Sequence, residues 1–123
     1  MDEILLVDDN KDLLWLVRSL LEQEGLAVRC AESGEEALSK LRTMSFRLMI
    51  TDLDLPGVDG FSLSRIASKI VPRMPVIMIT GSIAPGIPEQ AEKAGITKIL
   101  AKPFHFREIM AAIRDIEGSG CIS

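Results

Sequence analysis

The sequence predicts an α/β fold, with a single doubly wound sheet of five parallel strands and helices on both faces. The first observation behind this prediction is that short, continuously apolar runs alternate with segments whose apolar residues recur at helical spacing. The second is that the connections are short, mostly about two to six residues. Because continuous apolar runs are typical of parallel strands buried on both faces, the alternation indicates repeated β–α units.

The five predicted strands are apolar runs that stop at polar or turn-forming residues. In chain order they cover residues 4–7, 26–31, 48–50, 75–79 and 96–101. The third run leads directly into Asp52, and Pro56, Gly57 and Gly60 prevent the strand from continuing. Right-handed crossovers leave few strand orders, of which the doubly wound order 2-1-3-4-5 is favoured.

The first three predicted helices begin at capping residues. Asn10 or Asp9 can cap the first helix, Ser33 and Glu36 form a capping-box pattern at the second, and Asp59 is placed to cap the third. The helix after the fourth strand is expected to be short, covering residues 88–94, because prolines and a glycine precede it. The last helix is expected over residues 106–116. Residues 1–117 are therefore expected to form the domain, with 118–123 as a tail or the start of a linker.

Charge and hydropathy argue against two classes of partner. The net charge is −4 and no stripe of Lys and Arg is present, which argues against direct binding of nucleic acid. No apolar run approaches the roughly 20 residues of a membrane span. Since the first residues also lack the basic region of a signal peptide, we expect a cytoplasmic location and no membrane partner.

Polar residues stand at the ends of four predicted strands. Asp8 and Asp9 follow the first strand, Asp52 ends the third, Thr80 ends the fourth and Lys102 follows the fifth. The carboxyl ends of parallel strands meet at one sheet edge, so these side chains should converge. Packed carboxylates repel one another and need a cation, for which oxygen ligands favour Mg²⁺. Asp52 could then attack phosphorus as a nucleophile, giving an acyl phosphate.

Four motifs in the chain resemble those of response-regulator receiver domains, the phosphorylated modules of two-component signalling. They are Val7-Asp8-Asp9, the stretch from Asp52 to Gly60, Ile79-Thr80-Gly81 and Ala101-Lys102-Pro103-Phe104. The resemblance covers nearly the whole chain and implies a flavodoxin-like fold similar to chemotaxis regulators. It also implies that Asp52 accepts a phosphoryl group from a sensor histidine kinase and that the domain then changes conformation to modulate a downstream protein or a linked output domain.

The resemblance assigns a role to each residue of the expected site. Asp52 would be the phosphoacceptor and a metal ligand, Asp9 a direct Mg²⁺ ligand, Asp8 an acid that holds metal-bound water, and Asp54 a ligand through its backbone carbonyl. Lys102 would pair with the phosphoryl group and Thr80 would move toward it. Pro103 would follow a cis peptide bond. Such a domain would be no enzyme in the ordinary sense, since it catalyses only its own phosphorylation and dephosphorylation.

Two departures from the family pattern concern how a signal leaves the domain. Ile99 stands three residues before Lys102, where receivers usually carry an aromatic ring that swings inward. A branched aliphatic side chain changes rotamer only modestly, so the usual coupling is not expected. The second departure is the proline-rich start of the fourth helix. We hypothesise that residues 82–94 become ordered or change partner on phosphorylation.

Two other functions stay open on the sequence alone. Asp52 and Asp54 match the DxD pattern of haloacid-dehalogenase-type phosphatases, although Pro56 and the short chain fit that family poorly. A pseudo-receiver, which keeps the fold but is never phosphorylated, is the second alternative. Phosphorylation of Asp52 in the presence of Mg²⁺ would separate it from a true receiver.

Overall fold

Alternating strands and helices form the whole fold in a computed structural model that describes residues 2–81 and 83–122, without the side chains of 119–122. The elements in chain order are β1 Glu3–Val7, α1 Lys11–Gln23, β2 Val28–Ala31, α2 Gly34–Thr43, β3 Phe46–Asp52, α3 Gly60–Ile70, β4 Val76–Thr80, α4 Ile87–Lys93, β5 Lys98–Ala101 and α5 Phe106–Ile122. All strand pairs are parallel and the order is β2-β1-β3-β4-β5. The predicted fold class and strand order are confirmed.

The sheet separates two apolar cores because side chains alternate between its faces. Ile4, Leu6 and Ile50 point to the side of α1 and α5, whereas Leu5, Val7 and Met49 point to the side of α2 and α3. All six side chains are at most 4% exposed. Burial on both faces explains why the strands are continuously apolar in sequence.

The helix caps follow the predicted pattern, except for the partner of the Glu36 carboxylate in the capping box of α2. Asn10 rather than Asp9 caps α1, and Asp59 caps α3 by accepting a hydrogen bond from the Ser62 amide. At α2 the Ser33 hydroxyl accepts from the Glu36 amide at 3.1 Å, as a capping box requires. The Glu36 carboxylate, however, accepts from the Glu32 amide at 2.8 Å, one residue before the cap.

The last helix is longer than expected. We predicted residues 106–116, but α5 runs from Phe106 to Ile122. The final turns contain two glycines, which disfavour a helix by about 1 kcal/mol each relative to alanine. Glu117 offsets part of this cost, since its carboxylate accepts two hydrogen bonds of 2.6 Å from Arg47 at the start of β3. The helix continues through residues 118–122, and the boundary of the domain at residue 117 stays a prediction.

Part of the outer surface of α1 is apolar. The exposed fractions are 69% for Trp15 and 48% for Leu16. Within residues 2–81 and 83–122, no helix is both long and apolar enough to cross a membrane.

Candidate functional site

Strand register brings the polar strand ends to one edge of the sheet. Val7 of β1 lies opposite Thr51 of β3, Asp52 lies opposite Ile79 of β4, and Thr80 lies opposite Ala101 of β5. Each functional candidate stands at one of these strand ends or directly after it. The parallel register is thus the reason why residues far apart in sequence share one edge.

Asp52 occupies the centre of this edge. It is the last residue of β3, and only 5% of it is exposed. The Lys102 ammonium donates a hydrogen bond to Oδ2 of Asp52 at 3.2 Å. The other carboxylate oxygen, Oδ1, is buried and has no hydrogen-bond partner among the described residues. A buried carboxylate oxygen without a partner is costly, so this atom indicates a site for a cation or a reacting group.

Asp8 and Asp9 complete an acidic cluster with Asp52. One carboxylate oxygen from each residue lies within 4.8 Å of the other two. Asp8 is 6% exposed, whereas Asp9 is exposed to solvent. Burial raises the pKa of the Asp8 carboxyl, and the Asp52 charge adds to this rise, although the amide of Asn10, which donates to Asp8 Oδ1 at 2.9 Å, opposes it.

Lys102 and Thr80 are linked through the backbone. The Lys102 amide donates a hydrogen bond to the Thr80 carbonyl at 2.7 Å, so the residue after β5 is fixed to the end of β4. Thr80 is 2% exposed. The peptide bond between Lys102 and Pro103 is cis, as the resemblance implied. The backbone hydrogen bond between Lys102 and Thr80 keeps Lys102 near the end of β3, where its ammonium contacts Asp52.

Asp54 lies in the loop after β3, with its side chain exposed. It lines a solvent-open depression together with Asp9, Pro56 and Phe61. The structure therefore places Asp54 next to the acidic cluster, and its role as a carbonyl ligand stays a prediction. Asp59, by contrast, serves as the α3 cap described above.

Ile99 lies half-buried in a third apolar cluster, between β4, α3 and α4. Its neighbours there include Met78, Phe61 and Ala91. The ring in this cluster comes from Phe61 at the start of α3 and not from position 99. Ile99 therefore has no ring to rotate, and its aliphatic side chain can respond to a change in this cluster only by repacking.

Sequence reasoning missed an apolar groove that borders Lys102. The groove lies between α1 and the segment that joins β5 to α5. Its lining residues are Leu13, Leu16, Val17, Leu20, Lys102, Pro103, Phe104 and Phe106. Such a groove becomes visible only when the position of the β5–α5 segment is known.

The residues present fit a magnesium ion. The cluster offers only oxygen ligands, at least one of which is buried and unpartnered, and Mg²⁺ prefers one or two carboxylates together with water. Three acidic groups face the single ammonium of Lys102 within this cluster. A divalent cation would balance the remaining charge.

Comparison with known proteins identifies the family of the chain. The family described as response regulator receiver domain matches residues 4–114. The chain belongs to the receiver-domain family. It is 33% identical to the response regulator receiver protein CpdR of Brucella abortus, over 92% of this chain and 94% of that protein. It is therefore a receiver domain of two-component signal transduction rather than a phosphatase of the dehalogenase type.

Other relatives are longer or are known as structures. The chain is 34% identical to the transcriptional regulatory protein ResD of Bacillus subtilis, over 91% of this chain but 46% of that protein, so it spans about half of that relative. A CheY-like receiver domain protein from Methanospirillum hungatei superimposes with a TM-score of 0.92 at 29% identity, covering 100% of this chain and 99% of that one. A response regulator from Burkholderia pseudomallei, described with a phosphorylated aspartic acid, a calcium ion and citrate, gives a TM-score of 0.86 at 29% identity, covering 98% and 72%.

Proposed function

We propose that Asp52 of this receiver domain accepts a phosphoryl group from a histidine kinase and that the modified domain acts on a partner. The observation that carries the proposal is the environment of the Asp52 carboxylate. It is buried, held on one oxygen by Lys102, and left on the other without a hydrogen-bond partner within the described part of the chain. The related regulator from Burkholderia pseudomallei supports the proposal, because that protein carries a phosphorylated aspartic acid.

The transfer itself is a displacement at phosphorus. A carboxylate oxygen of Asp52 attacks and forms a new O–P bond, while the P–N bond of the donor phosphohistidine breaks. The imidazole nitrogen leaves with the electron pair of that bond and takes up a proton. The ammonium of Lys102 stabilises negative charge on the transferred oxygens, and the Thr80 hydroxyl can donate a hydrogen bond to one of them.

Magnesium would be held by Asp8, Asp9 and Asp52, with the Asp54 carbonyl as a further ligand. When bound, it neutralises charge that develops on the phosphoryl oxygens. Asp9, which is exposed, would be a direct ligand, and buried Asp8 would orient a bound water. The Asn10 amide keeps Asp8 in place for this task, since it donates to Oδ1.

The groove beside Lys102 supports a protein as the phosphodonor. Its apolar lining borders Lys102, which contacts Asp52. One of the lining residues, Leu16, is 48% exposed to solvent. A helical, histidine-bearing kinase domain could bury this surface while it brings its phosphohistidine to Asp52. We further propose a cytoplasmic location, a downstream protein or linked output domain as the target, and residues 1–117 as the receiver domain.

The test is phosphorylation by a small donor. Wild-type protein incubated with Mg²⁺ and acetyl phosphate should gain the mass of one phosphoryl group, and Asp52→Asn should gain none. Asp54→Asn serves as a matched control, because it removes a nearby exposed carboxylate but keeps the backbone carbonyl. An unmodified wild type would refute the proposal and favour the pseudo-receiver, which keeps the fold without the phosphorylation.

A further inference from the structure

The backbone carbonyl of Asp52 is held by groups to which the proposed function assigns no role. The buried hydroxyl of Thr51 donates a hydrogen bond to this oxygen at 3.0 Å. Thr51 is fully buried, at 0% exposure, so no water competes for its hydroxyl. A threonine in a buried strand is ordinarily interpreted as a packing residue. Here its hydroxyl donates to the residue that carries the reactive carboxylate.

Gly60 lies close to the same carbonyl. A Cβ atom at Gly60 would lie 2.7 Å from the Asp52 carbonyl oxygen and 2.8 Å from Leu53 Cα, which are backbone atoms that cannot move aside cheaply. The Gly60 amide also donates to the Leu53 carbonyl at 2.9 Å. The start of α3 therefore packs directly against the peptide that joins Asp52 to Leu53.

The amide half of that peptide is fixed as well. The Leu53 amide donates to the Ile79 carbonyl on β4 at 2.8 Å. Rotation of the peptide plane would break this bond and the Thr51 bond together. Backbone hydrogen bonds and close packing thus hold one peptide plane at both ends.

This peptide connects Asp52, the last residue of β3, to the loop that follows. The Asp52 carboxylate lies before it in the chain, and the Asp54 carbonyl lies after it. We propose that Thr51 and Gly60 are positioning residues that fix this plane, and with it the distance between the Asp52 carboxylate and the Asp54 carbonyl. The inference rests on the proposed function, in which both groups bind Mg²⁺. Magnesium requires near-octahedral ligands at about 2.0–2.1 Å, so a small rotation should be enough to weaken binding.

The test uses Thr51→Val and Thr51→Ser. Valine keeps the β-branched shape and removes the hydroxyl, whereas serine keeps the hydroxyl and loses a methyl group. Magnesium affinity measured by calorimetry should fall about 3- to 10-fold in Thr51→Val, the range expected for one lost hydrogen bond, and should stay near the wild-type value in Thr51→Ser. The Asp52 carbonyl ¹³C resonance in metal-free protein should shift in the valine variant only.

Thermal unfolding separates positioning from a purely structural role. A structural role predicts that metal-free stability falls in Thr51→Val while the folded protein still binds Mg²⁺ normally. Positioning predicts weaker Mg²⁺ binding by the folded variant, measured well below its Tm, whatever stability the missing hydrogen bond costs. Gly60→Ala should weaken binding more, and the two Thr51 variants keep the inference testable should that protein fail to fold.

The outcomes distinguish this inference from the proposed function. A wild type that binds no Mg²⁺ would overturn both. Wild-type affinity in Thr51→Val, or an equal loss in Thr51→Ser, would overturn only the positioning role of the hydroxyl and leave phosphorylation of Asp52 standing.

Discussion

Replacing Asp8 by asparagine should stabilise the metal-free protein, although it removes part of the proposed metal site. Oxygens of Asp8 and Asp52 lie within 4.8 Å of each other, and both residues are buried. At an effective dielectric constant of about 20, two unit charges at that distance repel by about 3.5 kcal/mol. Attraction of Asp8 to Lys102 offsets part of this repulsion. Asparagine also keeps the acceptor for the Asn10 amide. We therefore expect the free energy of unfolding to rise by about 1–3 kcal/mol.

Scanning calorimetry without metal measures this effect. With an unfolding entropy of about 2.1 cal/mol/K per residue, a chain of 123 residues shifts its Tm by about 4 °C per kcal/mol. Asp8→Asn should thus raise Tm by roughly 4–12 °C. Asp2→Asn, which removes an exposed carboxylate, is the matched control and should change Tm little. A lower Tm for metal-free Asp8→Asn would refute the view that the cluster is strained by like charge.

The pH dependence has a definite sign. Burial raises the pKa of Asp8 in the folded state, so folding favours its protonated form. The stability that this proton contributes is present at low pH and is lost as pH rises through the raised pKa. The difference between Asp8→Asn and wild type should therefore be small near pH 4 or below and should grow toward neutral pH.

Bound Mg²⁺ should reduce the difference in stability between the wild type and Asp8→Asn. A ligand at about 100 times its Kd stabilises by about 2.7 kcal/mol, which corresponds to roughly 10 °C for a chain of this length. Asp8→Asn should gain less from the same concentration, so the gap between the two proteins should narrow. Equal gains would show that Asp8 takes no part in metal binding.

Three further predictions concern other contacts. Lys102→Met should lower metal-free stability by about 1 kcal/mol, as judged by urea unfolding, because it leaves the buried Asp52 carboxylate without its ammonium partner. Leu63→Ala should cost about 2–5 kcal/mol in the same assay, since Leu63 is fully buried between α3 and the sheet. A double-mutant cycle on Arg47 and Glu117 should give a coupling of about 1 kcal/mol, because the pair is bidentate but only partly buried.

Much of the fold followed from local sequence because its signals are local. Apolar runs such as residues 48–50 identify strands that are buried on both faces, and Asn10, Ser33 and Asp59 identify helix starts by their capping chemistry. The convergence of the acidic residues with Lys102 followed from topology, since parallel strands end at one edge.

The remaining features depend on packing that no local pattern shows. The Asn10 amide bond to Asp8 and the Thr51 hydroxyl bond to the Asp52 carbonyl need the three-dimensional path of the backbone. The length of α5 was misjudged for a similar reason. Glycines after Glu117 suggested an end to the helix, but a partner 70 residues away in sequence, Arg47, holds that turn.

Because position 99 carries no aromatic ring, a conformational change at Asp52 needs another route to the outer face of the domain. Ile99 packs with Phe61 and Ala91, and Phe61 follows Gly60, whose backbone contacts the Asp52 peptide. A shift at Asp52 therefore has a route through the start of α3 to α4 that needs no aromatic rotation at 99. The first turn of α4 lacks a side-chain cap, whereas Asn10, Ser33 and Asp59 cap α1, α2 and α3. We expect hydrogen exchange over residues 83–94 to change when a phosphate mimic binds Asp52, and Phe61→Leu to reduce that change. Equal protection with and without the mimic would refute the route; Ser82, part of the segment first proposed, lies outside the described residues.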